Sequence, residues 1–198
     1  MTTAAAQAPV AAQKPNGKAQ QTHITWEQFK KRYLRREDRY KYEWVNGTVE
    51  KTLRTMDQIQ ALIWRIFKNK LLSLSNKRGI PMGEFMQEVD TFFAGSHRRP
   101  DISYFSEEQL AAIPKGNQEP QFVIEILSTS DQIMKVHKKM QDYRRANIPV
   151  IWHIFPEFEE VHVYTGEDMT ICRGDKLCSA APVLPEFAIP AKEIFNFG

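Results

Sequence analysis

An α/β fold built on a central mixed sheet is what this sequence of 198 residues predicts. Helical and strand-like stretches alternate in the order helix, hairpin, helix, several strands, helix, strands. The stretch from Phe122 to Ser128 is a short β-branched and aromatic run, of the length of a buried strand. After it, Ile133, Val136, Met140 and Tyr143 recur at i, i+3, i+7 and i+10, which places them on one helical face.

Taken in order, the chain starts with a segment rich in Ala, Gln, Pro and Lys. It lacks the apolar stretch of a signal peptide, so residues 1–22 are expected to form a disordered tail and 23–198 a single domain. Thr25 is placed to cap a first helix, with Gln28 as its capping-box partner. Trp26, Phe29, Tyr33 and Leu34 give that helix an apolar side. Its other side and exit hold Lys30, Lys31, Arg32, Arg35, Arg36, Arg39 and Lys41, offset locally by Glu37 and Asp38. Such a run is ordinarily a solvated face. Its other reading is a phosphate-backbone track, in which Arg35 and Arg36 join Lys135, Arg144 and Arg145 from further along the chain.

Asn46-Gly47 lies between Tyr42–Val45 and Thr48–Lys51, a strong hairpin signal because both turn positions favour positive φ. From Asp57, Ile59, Leu62, Ile63, Ile66, Phe67 and Leu71 keep the spacing of a core-packing helix, which should end before Asn76. Gly83 to Phe93 reads as one strand, with a turn at Ala94-Gly95-Ser96. Asp101 to Phe105 is the next strand. Ser106 then caps a short helix, with Glu107 and Glu108 where the helix dipole favours acids. Residues 113–120 are loop, and Gln121 to Leu127 is the central strand. Ser130 or Asp131 should cap the helix that runs to about Ala146. Strands follow at 150–155, 160–164 and 169–173, then an extended Pro182–Pro185 and a last short helix near Lys192.

Composition narrows the function. Hydrophobic residues make up 42% of the chain, enough for a real core. No apolar run approaches the ~20 residues of a membrane span. The net charge is +3, and Lys14 and Lys18 of the tail supply two of those charges, so any nucleic-acid contact must be a local patch. Cys172 and Cys178 match no metal spacing and no disulfide framework, which points to a reducing cytoplasm. The five histidines form no zinc motif, and no Gly-rich phosphate loop is present.

Chemistry concentrates in two acids and a lysine. Glu125 sits in the middle of the apolar run, where a carboxylate is costly unless a charge, a metal or a donor meets it. Asp101 opens the neighbouring apolar segment. Two acids at the edges of adjacent strands make a hard oxygen site of the kind that holds Mg²⁺; the other reading is an ion pair with an Arg or Lys. At ~100° per residue, Lys139 lies about 60° from Val136, at the margin of the apolar face, and could reach Glu125. Lys138 lies about 160° away, toward solvent.

Several segments together resemble a known family. They are Arg99-Pro100-Asp101-Ile102-Ser103; Val123 to Leu127, with Ser128, Ser130 and Asp131; Lys138-Lys139-Met140 with Tyr143; Val150 to Pro156; and Val161, Val163 and Tyr164. The hairpin Tyr42 to Glu50 and the ending Pro182 to Phe187 fit as well. In this order they are similar to the Uma-two family of restriction endonucleases, within the PD-(D/E)XK nuclease superfamily, over about Tyr42 to Phe195.

The resemblance implies a restriction-endonuclease-like fold, a homodimer as in many relatives, and Mg²⁺- or Mn²⁺-dependent hydrolysis of duplex DNA. Asp101 matches the first acidic motif and Glu125 the second acid, together the metal ligands. Leu127 stands where the usual lysine would be; relatives move that lysine to the following helix, where Lys139 stands. Glu43 matches a recurring hairpin glutamate, giving a catalytic set of Asp101, Glu125, Lys139 and Glu43. Gln58 stands where relatives often carry histidine, and Thr129 replaces a common proline. A second reading keeps the fold without the chemistry, as a nucleic-acid-binding or protein-interaction module.

Overall fold

The computed structural model describes residues 23–53, 58–93, 95–128 and 131–197. The expected tail to residue 22, the helix start at Asp57, Ala94 of the expected turn, Thr129 and the alternative cap Ser130 lie outside them.

Helix α1 (Trp26–Phe29) has the expected Thr25–Gln28 capping box and continues as a π-turn over Lys30–Leu34. Strands β1 (Tyr40–Val45) and β2 (Thr48–Leu53) form the hairpin, with Asn46 at φ 48° and Gly47 at φ 81°. Helix α2 (Gln58–Arg78) runs past the expected stop at Asn76 and gives way at Gly79, whose φ of 68° favours a residue without a Cβ.

The expected strand from Gly83 to Phe93 is two. Glu88, at φ 46°, breaks it into β3 (Glu84–Gln87) and β4 (Thr91–Phe93), which join different sheets. Strand β5 (Ser96–Arg98) leads to β6 (Ile102–Phe105), helix α3 (Glu107–Ala112) and β7 (Phe122–Ile126). Helix α4 (Ile133–Arg145) starts later than expected: its N-cap is Gln132, without a side-chain cap. Asp131 instead accepts the Ser128 N–H at 2.7 Å, closing the turn before the helix. Strands β8 (Val150–Phe155), β9 (Glu160–Thr165) and β10 (Asp168–Arg173) follow. A two-stranded sheet of β11 (Leu177–Ala180) and β12 (Leu184–Pro190), unforeseen as a pair, precedes α5 (Ala191–Ile194).

The main sheet has the order β10-β9-β8-β7-β6-β3, and β1, β2, β4 and β5 form a second sheet in the order β2-β1-β5-β4. Only β7 and β8 run parallel among the paired strands described; the main sheet is therefore mixed. Its two faces are different environments, because successive side chains of a strand alternate. Phe122, Ile124 and Ile126 of β7, with Val150, Trp152 and Ile154 of β8, pack against Ile63, Phe67 and Leu71 of α2 and Phe187 of β12. Val123 and Ile151 face the other way, toward Met140 and Tyr143 of α4. Burial grows along α4: Ile133 is 81% exposed, against the expectation that it shares the packed face, whereas Met140 and Tyr143 are buried. Among the described residues no helix is long and apolar enough to cross a membrane.

Phe67 stands at the centre of the apolar face, with the rings of Phe85, Trp152 and Phe187 at centroid distances of 5.9, 5.7 and 6.0 Å. Phe67→Ala should therefore destabilise the fold by about 3–5 kcal/mol in urea unfolding, since rigid aromatic neighbours cannot collapse into the space left.

Candidate active site

The pleat of β7 turns Glu125 to the same side as Val123, toward α4. Strand β6 pairs antiparallel with β7 through Ile102 and Ile124, and one further step in that register sets Asp101 beside Glu125. On the other side, Glu125 is matched with His153 of β8, and His153 with His162 of β9. A row of Asp, Glu, His and His thus crosses four neighbouring strands. Asp101, Glu125, Lys139 and Glu43 line one cavity of about 490 Å³, together with Lys41, His153 and Lys135.

Each acid is met by a cation. Lys139 Nζ lies 2.8 Å from Glu125 Oε2 and 4.0 Å from Glu43 Oε1. The Tyr143 hydroxyl donates to the other Glu125 oxygen. Asp101 accepts from Lys41 Nζ at 3.0 Å and from the Ile126 N–H at 2.9 Å. Glu43 accepts the Arg99 N–H at 2.8 Å and Arg98 Nη1 at 3.2 Å. Arg98 is fully buried and also holds Glu50 and Asp142, with Nε 2.9 Å from Asp142 Oδ2. One guanidinium therefore ties β1, β2 and β5 to α4, the helix that presents Lys139.

The titration of these groups follows from burial and neighbours. Burial pushes the Glu43 carboxyl up, but Lys139, Arg98 and Lys41 outweigh it and hold it at about 2. Asp101 is also lowered: burial opposes ionisation, and Lys41, Lys139 and the Ile126 N–H overcome it. Glu125 is raised, because burial, Asp101 and Glu43 together outweigh Lys139 and Lys41. For Lys139, burial favours the neutral amine, yet Glu125, Glu43 and Asp101 keep it firmly an ammonium. Burial brings His153 down to about 4, helped by His162 and Lys139, so it is neutral; its Nε2 is buried without a partner among the described residues.

Four site residues escaped the sequence reading. Lys41 was placed in the solvated basic run, yet it lies two residues from Glu43 in a strand, and that spacing alone puts both on one face. Tyr143 is expected on the apolar face and in the family pattern, without a role; its place four residues after Lys139 is the signal of one. Arg98 and His153 had no local signal, because their partners lie on other elements. Lys138 is not simply solvated: it pairs with Glu50 while remaining 43% exposed.

The expected phosphate track is dispersed. Lys41 leaves it for Asp101, Arg36 pairs with Asp38 at 2.7 Å, and Arg145 with Asp142 at 2.6 Å. Lys135 lines the cavity, but Arg144 is nine residues on, about 180° around the helix, and lies 3.9 Å from Glu167. Arg35 is exposed at the end of the π-turn.

Among the described residues no three His, Cys, Asp or Glu side chains form a ready metal cage. The Asp101–Glu125 pair still fits a hard divalent cation, because Mg²⁺ is commonly held by one or two carboxylates, with water and substrate phosphate completing its shell.

The family model described as "Uma2: Putative restriction endonuclease" matches residues 26–192. Among solved structures, the chain is similar to the crystal structure of "a putative nuclease belonging to DUF820" from Anabaena variabilis ATCC 29413. The TM-score is 0.72 at 20% identity, covering 88% of this chain and 98% of that one. That likeness establishes the restriction-endonuclease-like fold expected from the sequence. No curated protein matches the chain.

Glu43 makes acid stability the readout of this network. Its folded carboxyl lies near 2 against an ordinary value of 4.5, so its ionised form stabilises the fold above about pH 4.5 and that contribution is lost as pH falls toward 2. Asp101 acts in the same sense and Glu125, raised, in the opposite one. Glu43→Gln should be less stable than wild type by about 3 kcal/mol at neutral pH. Urea unfolding at stepped pH should show the two proteins converging as the acid limit is approached.

Proposed function

The chain belongs to the Uma2 family, and from that membership we propose that it is a divalent-metal-dependent endonuclease hydrolysing DNA phosphodiester bonds. The observation that supports this reading best is the meeting of Asp101, Glu125 and the Lys139 ammonium in one cavity. Asp101 and Glu125 are the carboxylates that would hold Mg²⁺ or Mn²⁺; when bound, the ion would withdraw charge from the phosphate and make water more acidic.

The protein's own groups do the rest. Lys139, kept charged by the surrounding acids, orients the attacking water and offsets the negative charge that grows on the phosphate oxygens as water adds and the P–O bond breaks. Glu43, 4.0 Å from that ammonium, and Tyr143, bonded to Glu125, fix where the two catalytic side chains point. Of the expected track of Arg35, Arg36, Lys135, Arg144 and Arg145, Lys135 at the cavity and the exposed Arg35 are best placed for DNA phosphates, with the other three contributing only if they leave their acidic partners. A homodimer would present two such cavities, one to each strand. The free, buried Cys172 and Cys178 suit a reducing cytoplasm.

The test is cleavage of duplex DNA with Mg²⁺. Lys139→Ala should lose cleavage by at least about a hundredfold while still binding Mg²⁺, because it removes transition-state stabilisation and not a metal ligand. Lys138→Ala should retain most activity. A dead Lys138→Ala beside an active Lys139→Ala would overturn the assignment.

A further inference from the structure

Lys41 shares the cavity with the two acids, and its side chain is only 8% exposed. Among the described residues, the one hydrogen-bond acceptor of its ammonium is Asp101 Oδ1, at 3.0 Å. An ammonium has three donors, so two have no acceptor among the described residues. Donors that face a cavity are met there by water or by an acceptor of a bound molecule. Of the acceptors a bound molecule can offer, an anionic oxygen meets an ammonium most strongly. A non-bridging phosphate oxygen is such an acceptor.

Lys41 and Lys139 reach the carboxylates from different elements, β1 and α4. Lys139 is committed to Glu125 and Glu43. Both lysines hold an acid that a cation would claim, but Lys139 keeps Glu43 as a second carboxylate, whereas Asp101 is the one acceptor of Lys41 among the described residues. A divalent ion drawn to Asp101 would share that carboxylate with Lys41 and weaken its hold on the ammonium.

Resting on the endonuclease reading, we infer that Lys41 is a phosphate-anchoring residue. It neutralises Asp101 in the metal-free protein and donates to a non-bridging oxygen of the bound phosphodiester once a divalent cation takes that carboxylate. DNA affinity at this site is then coupled to the cation through one lysine.

The test compares wild type with Lys41→Met, which keeps the stem and removes the charge. Calorimetry reads the affinity for Ca²⁺, and fluorescence anisotropy reads the affinity for a short labelled duplex with and without Ca²⁺. Lys41→Met should bind Ca²⁺ at least as tightly as wild type, because a competitor is gone. It should lose about tenfold or more in duplex affinity with Ca²⁺ present and much less without it. Unchanged duplex affinity in Ca²⁺, or an equal loss with and without it, overturns the inference and leaves Lys41 a structural ion pair.

Should Lys41→Met alone fail to fold, Asp101→Asn is compared with Asp101→Asn/Lys41→Met, a pair that leaves no unpaired buried carboxylate. The double variant is then expected to bind duplex about tenfold more weakly than Asp101→Asn, and equal affinities overturn the inference. Wild type that takes up no cation and cuts no DNA overturns the endonuclease reading and this inference together. Wild type that does both, beside a Lys41→Met variant of undiminished duplex affinity, overturns this inference alone.

Discussion

Charge neutralised away from water is the constraint on which the rest of the structure depends. Glu43 and Glu125 are each about 2% exposed, and Asp101 lies only partly open beside them. An isolated carboxylate in such a place costs several kcal/mol, and removing one member of a buried pair is correspondingly disruptive. Lys41, Lys139 and Arg98 therefore stabilise the fold by neutralising these acids. Because Arg98 binds acids from β1, β2 and α4, the helix that presents Lys139 is fixed to the small sheet by the same charges that line the cavity. Folding and the arrangement of the site are one problem here.

The main sheet makes this possible by separating two environments across a single strand. In β7, Phe122, Ile124 and Ile126 enter an aromatic-rich core, while Val123 and Glu125 face α4. The dry face supplies the hydrophobic stabilisation, roughly 25 cal/mol for each Å² of apolar surface withdrawn from water. That stabilisation offsets the cost of concentrating charge on the other face. Placing the acids on strands also limits their motion, which suits the proposed site, where a hard cation and a lysine would be held in fixed relation.

Most of the fold was legible because its signals are local. The Asn46-Gly47 hairpin, the apolar run of β7, the periodic face of α2 and the Thr25 capping box each depend on a few adjacent residues, and each is present. Helical angle alone puts Lys139 rather than Lys138 within reach of Glu125, and its Nζ lies 2.8 Å from that carboxylate. What escaped was tertiary. The division of the stretch from Gly83 to Phe93 into strands of two sheets turns on the backbone at Glu88, whose positive φ no side-chain pattern announces. The withdrawal of Lys41 from the basic run, and the gathering of Glu43, Glu50 and Asp142 around Arg98, depend on residues 44 to 60 positions apart in sequence. Charged residues carry no periodic signature when their partners lie on other elements, so the basic run looked like one solvated face when several of its members were already paired.

On the proposed reading Asp101 and Glu125 form one divalent-cation site. Calorimetric titration of Mg²⁺ into metal-free wild type and Asp101→Asn, both shown to be folded by circular dichroism, tests it directly. Saturable Mg²⁺ binding by wild type that is lost in Asp101→Asn is the predicted result. No Mg²⁺ binding by folded wild type, or equal binding by both proteins, would contradict it and leave the paired acids and lysines as a structural network only.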